Sequence, residues 1–308
     1  MAESERLCPY NYSINELEEI AWRLSRQIIR MTTEAGSGHP SSSLSAIDVM
    51  TALYFGGIMC YNPSSPNWDE RDRFILSKGH GVPALYAVLG EAGFYDPDRV
   101  MTLRETGSPF EGHPNMRVLP GVEASTGSLG QGLSIGLGHA LAARVNELDY
   151  HVFVMIGDGE SDEGQIWEAA MSAAKYRVHN LTAILDYNKF QQTGPVREVM
   201  PSLEPIVDKW EAFGWNVQEI DGHNYEEILE SLRIAVRATE QPQLIIANTL
   251  KGRGLSPFEK NKVNRKHGVA LTEEEMEVAL AELDEMKYSE EYVDAEPELR
   301  PEDKYGEF

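Results

Sequence analysis

Residues 151–188 read HVFVMIGDGESDEGQIWEAAMSAAKYRVHNLTAILDYN. Two short apolar runs, 152–156 and 181–185, are typical of buried strands, and the segment between them is typical of a helix. A strand, a helix and a returning strand form the repeating unit of a parallel sheet. Asp158 follows the first run and Asn188 follows the second, thirty positions later. The stretch therefore predicts polar, ligand-capable side chains at one edge of a parallel sheet.

The rest of the chain extends this alternation of helices and strands. Shorter strands are predicted in RFIL, NVQEID and PQLIIAN, with helices between them, and the first helix is predicted over 15–31 with Asn15 as its cap. The pattern predicts an α/β fold, a doubly wound parallel sheet flanked by helices. We expect one domain over 1–275 and an acidic C-terminal helical tail over 276–308. A capping box of Thr272 and Glu275 begins its helix, and 289–308 is expected to be loosely held.

The charge balance narrows the class of partner. The net charge is −23, and residues 271–308 hold fifteen acids against three bases. This balance argues against a nucleic acid or an anionic membrane surface as partner, because both need clustered bases. Cys8 and Cys60 lack metal-like spacing and are expected to be free thiols. With an acidic start and no apolar run of membrane length, the chain is expected to be cytoplasmic.

The residues at the two strand ends suit a hard cation. A carboxylate at Asp158 and an amide oxygen at Asn188 are ligands that Mg²⁺ or Ca²⁺ accepts. Gly157 and Gly159 allow a close approach of backbone to phosphate, and a helix N-terminus follows. These features suggest a divalent cation that bridges a bound diphosphate. GDG by itself is also compatible with a tight turn, and a nicotinamide site is a rival. However, the glycine-rich segment 127–138 lacks a strict G-x-G-x-x-G, and the chain has no P-loop.

Histidines are the second group of candidates. His39, His80, His113 and His267 stand beside glycine in predicted loops, where each could approach a ligand closely. The remaining four lack this setting and are expected to be structural or surface residues: His139, His151, His179 and His223.

These blocks together resemble the thiamine-diphosphate-binding half of transketolase. The similarity extends to about residue 275 and includes SGHP, DRFILSKGHG, STGSLGQG, GDGESDEGQIWEAA, LDYNKFQQTGP and KGRG, in the family's order. The resemblance implies thiamine diphosphate and Mg²⁺ (or Ca²⁺) as cofactors. It also implies transfer of a two-carbon ketol unit from a ketose to an aldose, with sugar phosphates as substrates.

The resemblance implies a role for particular residues. Those implied as metal ligands are Asp158, Asn188 and the backbone carbonyl of Phe190. Those implied in cofactor binding are His80, Gly127, Leu129, Gly157, Asp158, Gly159, Glu160, Asn188 and His267. Those implied in catalysis are His39, His113, His267 and Glu163, with His39 and His113 facing substrate hydroxyls and Glu163 linking two active sites through a dimer interface. Beyond the cofactor segment, Glu160 and Asp162 are expected to be merely solvated.

A departure from the family predicts a partner. The resemblance covers only the diphosphate-binding half of a transketolase, and nothing after 275 matches the half that activates the aminopyrimidine and holds the sugar phosphate. We therefore expect the N-terminal subunit of a split transketolase, completed by a separate C-terminal subunit in an α2β2 assembly. Two alternatives stay open at this point. One is the decarboxylating α-subunit of a 2-oxo-acid dehydrogenase, and the other is a non-catalytic cofactor-binding subunit.

Overall fold

The computed structural model describes residues 8–288, and within them five parallel strands form one sheet. In chain order the strands are β1 Arg73–Leu76, β2 Val152–Gly157, β3 Leu181–Tyr187, β4 Asn216–Asp221 and β5 Gln243–Asn248. Their spatial order is β1-β2-β3-β5-β4, with every neighbouring pair parallel. The predicted strands are confirmed, including the polar one at 216–221.

Helices cover both faces of this sheet. They are α1 Ile14–Glu34, α2 Pro40–Phe55, α3 Val82–Glu91, α4 Gln131–Val145, α5 Gly164–Lys175, α6 Val196–Val199, α7 Ile206–Ala212, α8 Tyr225–Val236, α9 Ser256–Glu259 and α10 Glu273–Tyr288. Phe153 and Met155 of β2 pack in the core with α1, α2 and α3, whereas Val152, Val154 and Ile156 pack in a second core with α4 and α5. This alternation is what a strand buried on both faces requires, and it confirms the doubly wound prediction.

The start of α1 differs from the prediction. Ser13, not Asn15, is the N-cap, and its backbone N–H donates to Glu16 Oε2 at 2.8 Å. Asn15 lies inside the first turn. Serine followed three residues later by glutamate is a capping box, so the signal was present in the sequence.

The prediction of two free thiols is wrong. Cys8 and Cys60 form a disulfide. The N-terminal segment runs back along the end of α2, where Tyr12 N–H donates to Phe55 O at 2.9 Å and Asn11 bridges Gly56. This return brings the Cα atoms of the two cysteines to 4.0 Å, although 52 positions separate them in the chain. Sequence spacing alone gave no sign of that contact.

The acidic helix α10 packs on its own chain. Its predicted capping box is confirmed, since Thr272 N–H donates to Glu275 Oε2 at 3.0 Å and Glu275 N–H to Thr272 Oγ1 at 3.2 Å. Leu283 is 2% exposed within the core that α1 shares, and Trp22 Nε1 of α1 donates to Asp284 Oδ1 at 3.1 Å. The division of the chain at 275 stays a prediction, and the predicted loose end over 289–308 lies outside the described residues.

Candidate active site

A cleft of about 500 Å³ lies at the carboxyl edge of the sheet, where parallel α/β sheets place their ligands. Loops after β1, β2, β3 and β5 and the N-terminus of α2 form its walls. Every residue predicted for the metal and the cofactor lines it, together with three of the four predicted catalytic residues: His39, His80, His113, Gly127, Leu129, Gly157, Asp158, Gly159, Glu160, Asn188, Phe190 and His267. Sequence reasoning thus assembled one site from segments far apart in the chain.

Glu163 is the predicted residue that the cleft does not include. It is the N-cap of α5 and is exposed in this chain. Its role at an interface between active sites stays a prediction.

The predicted cation ligands have a chemistry that fits a hard cation. Asp158 is 3% exposed; its Oδ1 accepts from Gly159 N–H at 2.7 Å, while its Oδ2 is buried and has no hydrogen-bond partner among the described residues. Burial raises the pKa of Asp158 to about 7, and the Lys251 ammonium opposes that rise. A buried carboxylate oxygen without a partner is costly, and a bound cation would remove that cost.

Asn188 is oriented by its neighbours. Its Nδ2 donates to Asp186 Oδ2 at 3.2 Å, and its Oδ1 accepts from Phe190 N–H at 3.2 Å. Asp186 is itself fixed by an ion pair with Lys78 and by the Ser45 hydroxyl at 2.6 Å. The amide oxygen therefore faces the loop whose carbonyl is the third predicted ligand. No cluster of three or more His, Cys, Asp or Glu suited to a metal occurs within residues 8–286, which is consistent with a predicted set holding one carboxylate.

Three imidazoles meet at the mouth of this cleft. The ring centroids of His39, His80 and His267 are 5.0–5.1 Å apart. Burial lowers the pKa of His39 to about 4 and that of His267 to about 3, and it lowers the pKa of His80 well below its ordinary value. The three rings are therefore neutral near pH 7, and each offers one donor and one acceptor nitrogen.

His113 lies against the Gly127 loop. Burial and the nearby Arg104 guanidinium lower its pKa. A Cβ on Gly127 would lie 2.9 Å from His113 Cδ2, and Gly127 has a φ of +144°. Both facts require glycine here. The predicted aminopyrimidine loop and the predicted substrate-facing histidine are therefore packed together.

The expectation that Glu160 is merely solvated is wrong. It is 2% exposed, and its carboxylate accepts from Gly130 N–H at 2.8 Å, from Gly157 N–H at 3.2 Å and from the Ser77 hydroxyl. It joins the loops after β1 and β2 to the start of α4. Asp162 is exposed, as expected, although it accepts from Gln191 Nε2 at 2.8 Å.

Sequence reasoning missed several residues of the cleft: Ser42, Lys78, Gln191, Gln192, Thr193 and Lys251. Lys251 is 3% exposed, and its Nζ lies 2.8 Å from Phe190 O and 2.9 Å from His267 Nδ1. It thus places a positive charge beside the predicted cation ligands. The signal in the sequence was a lysine soon after a buried strand, in KGRG.

Comparison with known proteins agrees with this geometry. Residues 23–294 match the family described as "Transketolase, thiamine diphosphate binding domain". The 6-deoxy-6-sulfo-D-fructose transketolase subunit SqwG of Clostridium sp. (strain MSTE9) is 49% identical over 249 residues, covering 81% of this chain and 89% of that protein. One of the apulose-4-phosphate transketolase subunits, from Phocaeicola vulgatus, is 42% identical over 272 residues, covering 88% of this chain and 95% of that protein.

A solved structure confirms the fold. Transketolase from Campylobacter jejuni superposes with a TM-score of 0.82 at 33% identity, covering 89% of this chain and 43% of that longer chain. Within residues 8–288, no helix has the length and apolar character needed to cross a membrane. The chain belongs to the transketolase family of thiamine-diphosphate-dependent transferases, and it corresponds to the N-terminal, cofactor-binding subunit of the family's split members.

Proposed function

We propose that this protein binds thiamine diphosphate through Mg²⁺ (or Ca²⁺) and, with a separate C-terminal subunit, transfers a ketol unit from a ketose phosphate to an aldose phosphate. The observation that carries the cofactor proposal is the buried, unpartnered Oδ2 of Asp158 at the carboxyl edge of the sheet. The similarity supports the partner, because the chain spans 89–95% of relatives named as subunits and 43% of a single-chain transketolase.

The cation would be held by the Asp158 carboxylate, the Asn188 amide oxygen and the Phe190 carbonyl. His80, His267 and the Gly159 backbone would contact the diphosphate, and the Lys251 ammonium adds charge at the same place. When bound, thiamine diphosphate supplies the electron sink that allows a carbon–carbon bond beside a carbonyl to be cleaved and re-formed. The contribution of these residues is to bind and to orient the cofactor.

His39 and His113 would act on the substrate. Both rings have lowered pKa values, so near neutral pH each has one donor N–H and one lone pair. A neutral imidazole can donate to a sugar hydroxyl or carbonyl oxygen and can hold a proton taken from a hydroxyl. Gly127 and Leu129 would lie against the cofactor's aminopyrimidine ring.

The substrate is proposed to be an anionic sugar. SqwG is named for 6-deoxy-6-sulfo-D-fructose and the Phocaeicola protein for apulose-4-phosphate, and both sugars carry an acidic group. An α2β2 assembly, a cytoplasmic location and a place in pentose phosphate metabolism belong to the same proposal. The C-terminal subunit would supply the groups that bind the anionic end of the sugar.

Asp158→Ala tests the cofactor site. We expect it to abolish Mg²⁺-dependent binding of thiamine diphosphate, because the buried carboxylate is the one charged ligand proposed for the cation. Binding is measured by quenching of tryptophan fluorescence during titration, with and without Mg²⁺. Asp162→Ala, which removes an exposed acid four positions away, is the matched control and should bind as the unmodified chain does. Equal affinity in all three proteins would contradict the assignment.

A further inference from the structure

A second polar cluster lies behind the cleft, centred on Asp48 of α2. Asp48 is fully buried. Its carboxylate lies 2.7 Å from His223 Nδ1, 3.1 Å from the Tyr225 hydroxyl and 3.0 Å from Arg253 NH2. The cluster joins α2, the loop before α8 and the loop after β5. None of its four members lines the cleft.

His223 passes this anchoring on to the loop after β5. Its Nε2 lies 2.9 Å from the backbone nitrogen of Leu250, whose N–H donates to it. Because Nε2 accepts, the ring proton is on Nδ1 and is donated to Asp48. The carboxylate thus selects the tautomer that can hold the Leu250 amide.

The anchored segment carries Lys251. Leu250 is held by His223 on one side, and on the other side Gly252 N–H donates to Ser41 O at 2.9 Å. Arg253, next along the chain, is paired with Asp48. Between these fixed points the Lys251 ammonium points into the cleft and reaches Phe190 O at 2.8 Å.

We propose that Asp48 and His223 are positioning residues for Lys251, which they hold in place beside the cation and the diphosphate through the backbone of 250–253. The inference rests on the proposed function, since it concerns how strongly the cofactor is held. Groups that orient a ligand-binding residue typically change affinity by about 10- to 100-fold when they are removed.

A double-mutant cycle tests this proposal in the full chain, purified together with any protein that accompanies it. His223→Ala and Lys251→Met should each raise the Kd for thiamine diphosphate with Mg²⁺ by about tenfold or more. Because His223 acts through Lys251, the double variant should bind no more weakly than Lys251→Met alone. Losses that multiply in the double variant would overturn the proposal.

A conservative variant and a control separate positioning from general stability. His223→Gln can place an amide oxygen near Leu250 N–H, so it should recover much of the lost affinity, whereas His223→Asn should not. His151→Gln alters another buried histidine, bonded to Thr182 at the opposite edge of the sheet, and should leave the Kd unchanged. If Gln and Asn bind equally weakly, or if His151→Gln weakens binding as much, the proposal is wrong.

Hydrogen exchange gives a readout without cofactor. In His223→Ala, amides of 249–254 should exchange faster, while those of β5 should keep their protection. Equal loss of protection in β5 would mean that His223 only stabilises the fold. If the unmodified chain bound no cofactor, the proposed function would fail, and the exchange result would still show whether His223 anchors this loop.

Discussion

At the scale of single residues, His113 should matter for turnover more than for cofactor binding. It is half-buried at the Gly127 loop, and none of the proposed cation ligands contacts its ring in the described structure. We expect His113→Ala to lower kcat by about 100-fold, a usual loss for a hydrogen-bonding or proton-transferring group, with little change in the cofactor Kd. Steady-state kinetics of the assembled enzyme measures this. His179→Ala, at the opposite edge of the sheet, is the control, and unchanged turnover in His113→Ala would refute the role.

His39 should make folding stability depend on pH. Its pKa is about 4 in the folded chain and near 6.5 in an unfolded one. As pH falls from 6.5 to about 4, the unfolded chain takes up a proton at this position and the folded chain does not, so stability is lost. The loss in His39→Gln should be shallower, as measured by urea unfolding at each pH. Well above the unfolded pKa the two curves should run parallel; equal slopes below it would contradict the assignment.

Residue types at strand ends were predictable, but the burial of Glu160 and Lys251 was not. Asp158 and Asn188 follow apolar runs whose lengths and spacing are visible in the sequence. Glu160 stands in an acidic run typical of a solvated turn, and it is buried because three donors from distant loops converge on it. A single sequence shows which groups a segment carries. It does not show which distant donors will meet them.

At the scale of elements, α10 is the part whose placement departs furthest from a solvated tail. Leu283→Ala should lower the free energy of unfolding by about 3 kcal/mol, because the side chain is 2% exposed and its removal leaves a cavity. Urea denaturation followed by circular dichroism measures the change. Glu277→Ala, on the exposed side of the same helix, should change stability little. Equal, small effects in both variants would mean that α10 does not contribute to the core.

The strands were easier to predict than the helix surfaces because continuous apolar runs are diagnostic of a parallel sheet covered on both faces. Strand order was not predicted, since it depends on which crossovers pack together. The helical period of α10 showed an apolar stripe at Met276, Leu280 and Leu283. The period did not show whether this chain or another one covers that stripe, and in the structure α1 lies against it.

At the scale of the whole molecule, the cleft is one side of an active site. It presents cation ligands, neutral imidazoles and a lysine beside the Phe190 carbonyl. The chain carries a net charge of −23, with much of the excess in 271–308. A partner that contributes the basic groups for an anionic sugar would complete both the site and the charge balance.

The central claim is that this protein performs ketol transfer together with a separate chain. The most direct test is to recover the protein from its native cell, identify co-purifying chains by mass spectrometry, and assay ketol transfer between an anionic ketose and an aldose phosphate. We predict a second chain of comparable length and transfer that disappears when thiamine diphosphate is removed. Recovery of this chain alone, with no transfer when the cofactor and Mg²⁺ are supplied, would contradict the account.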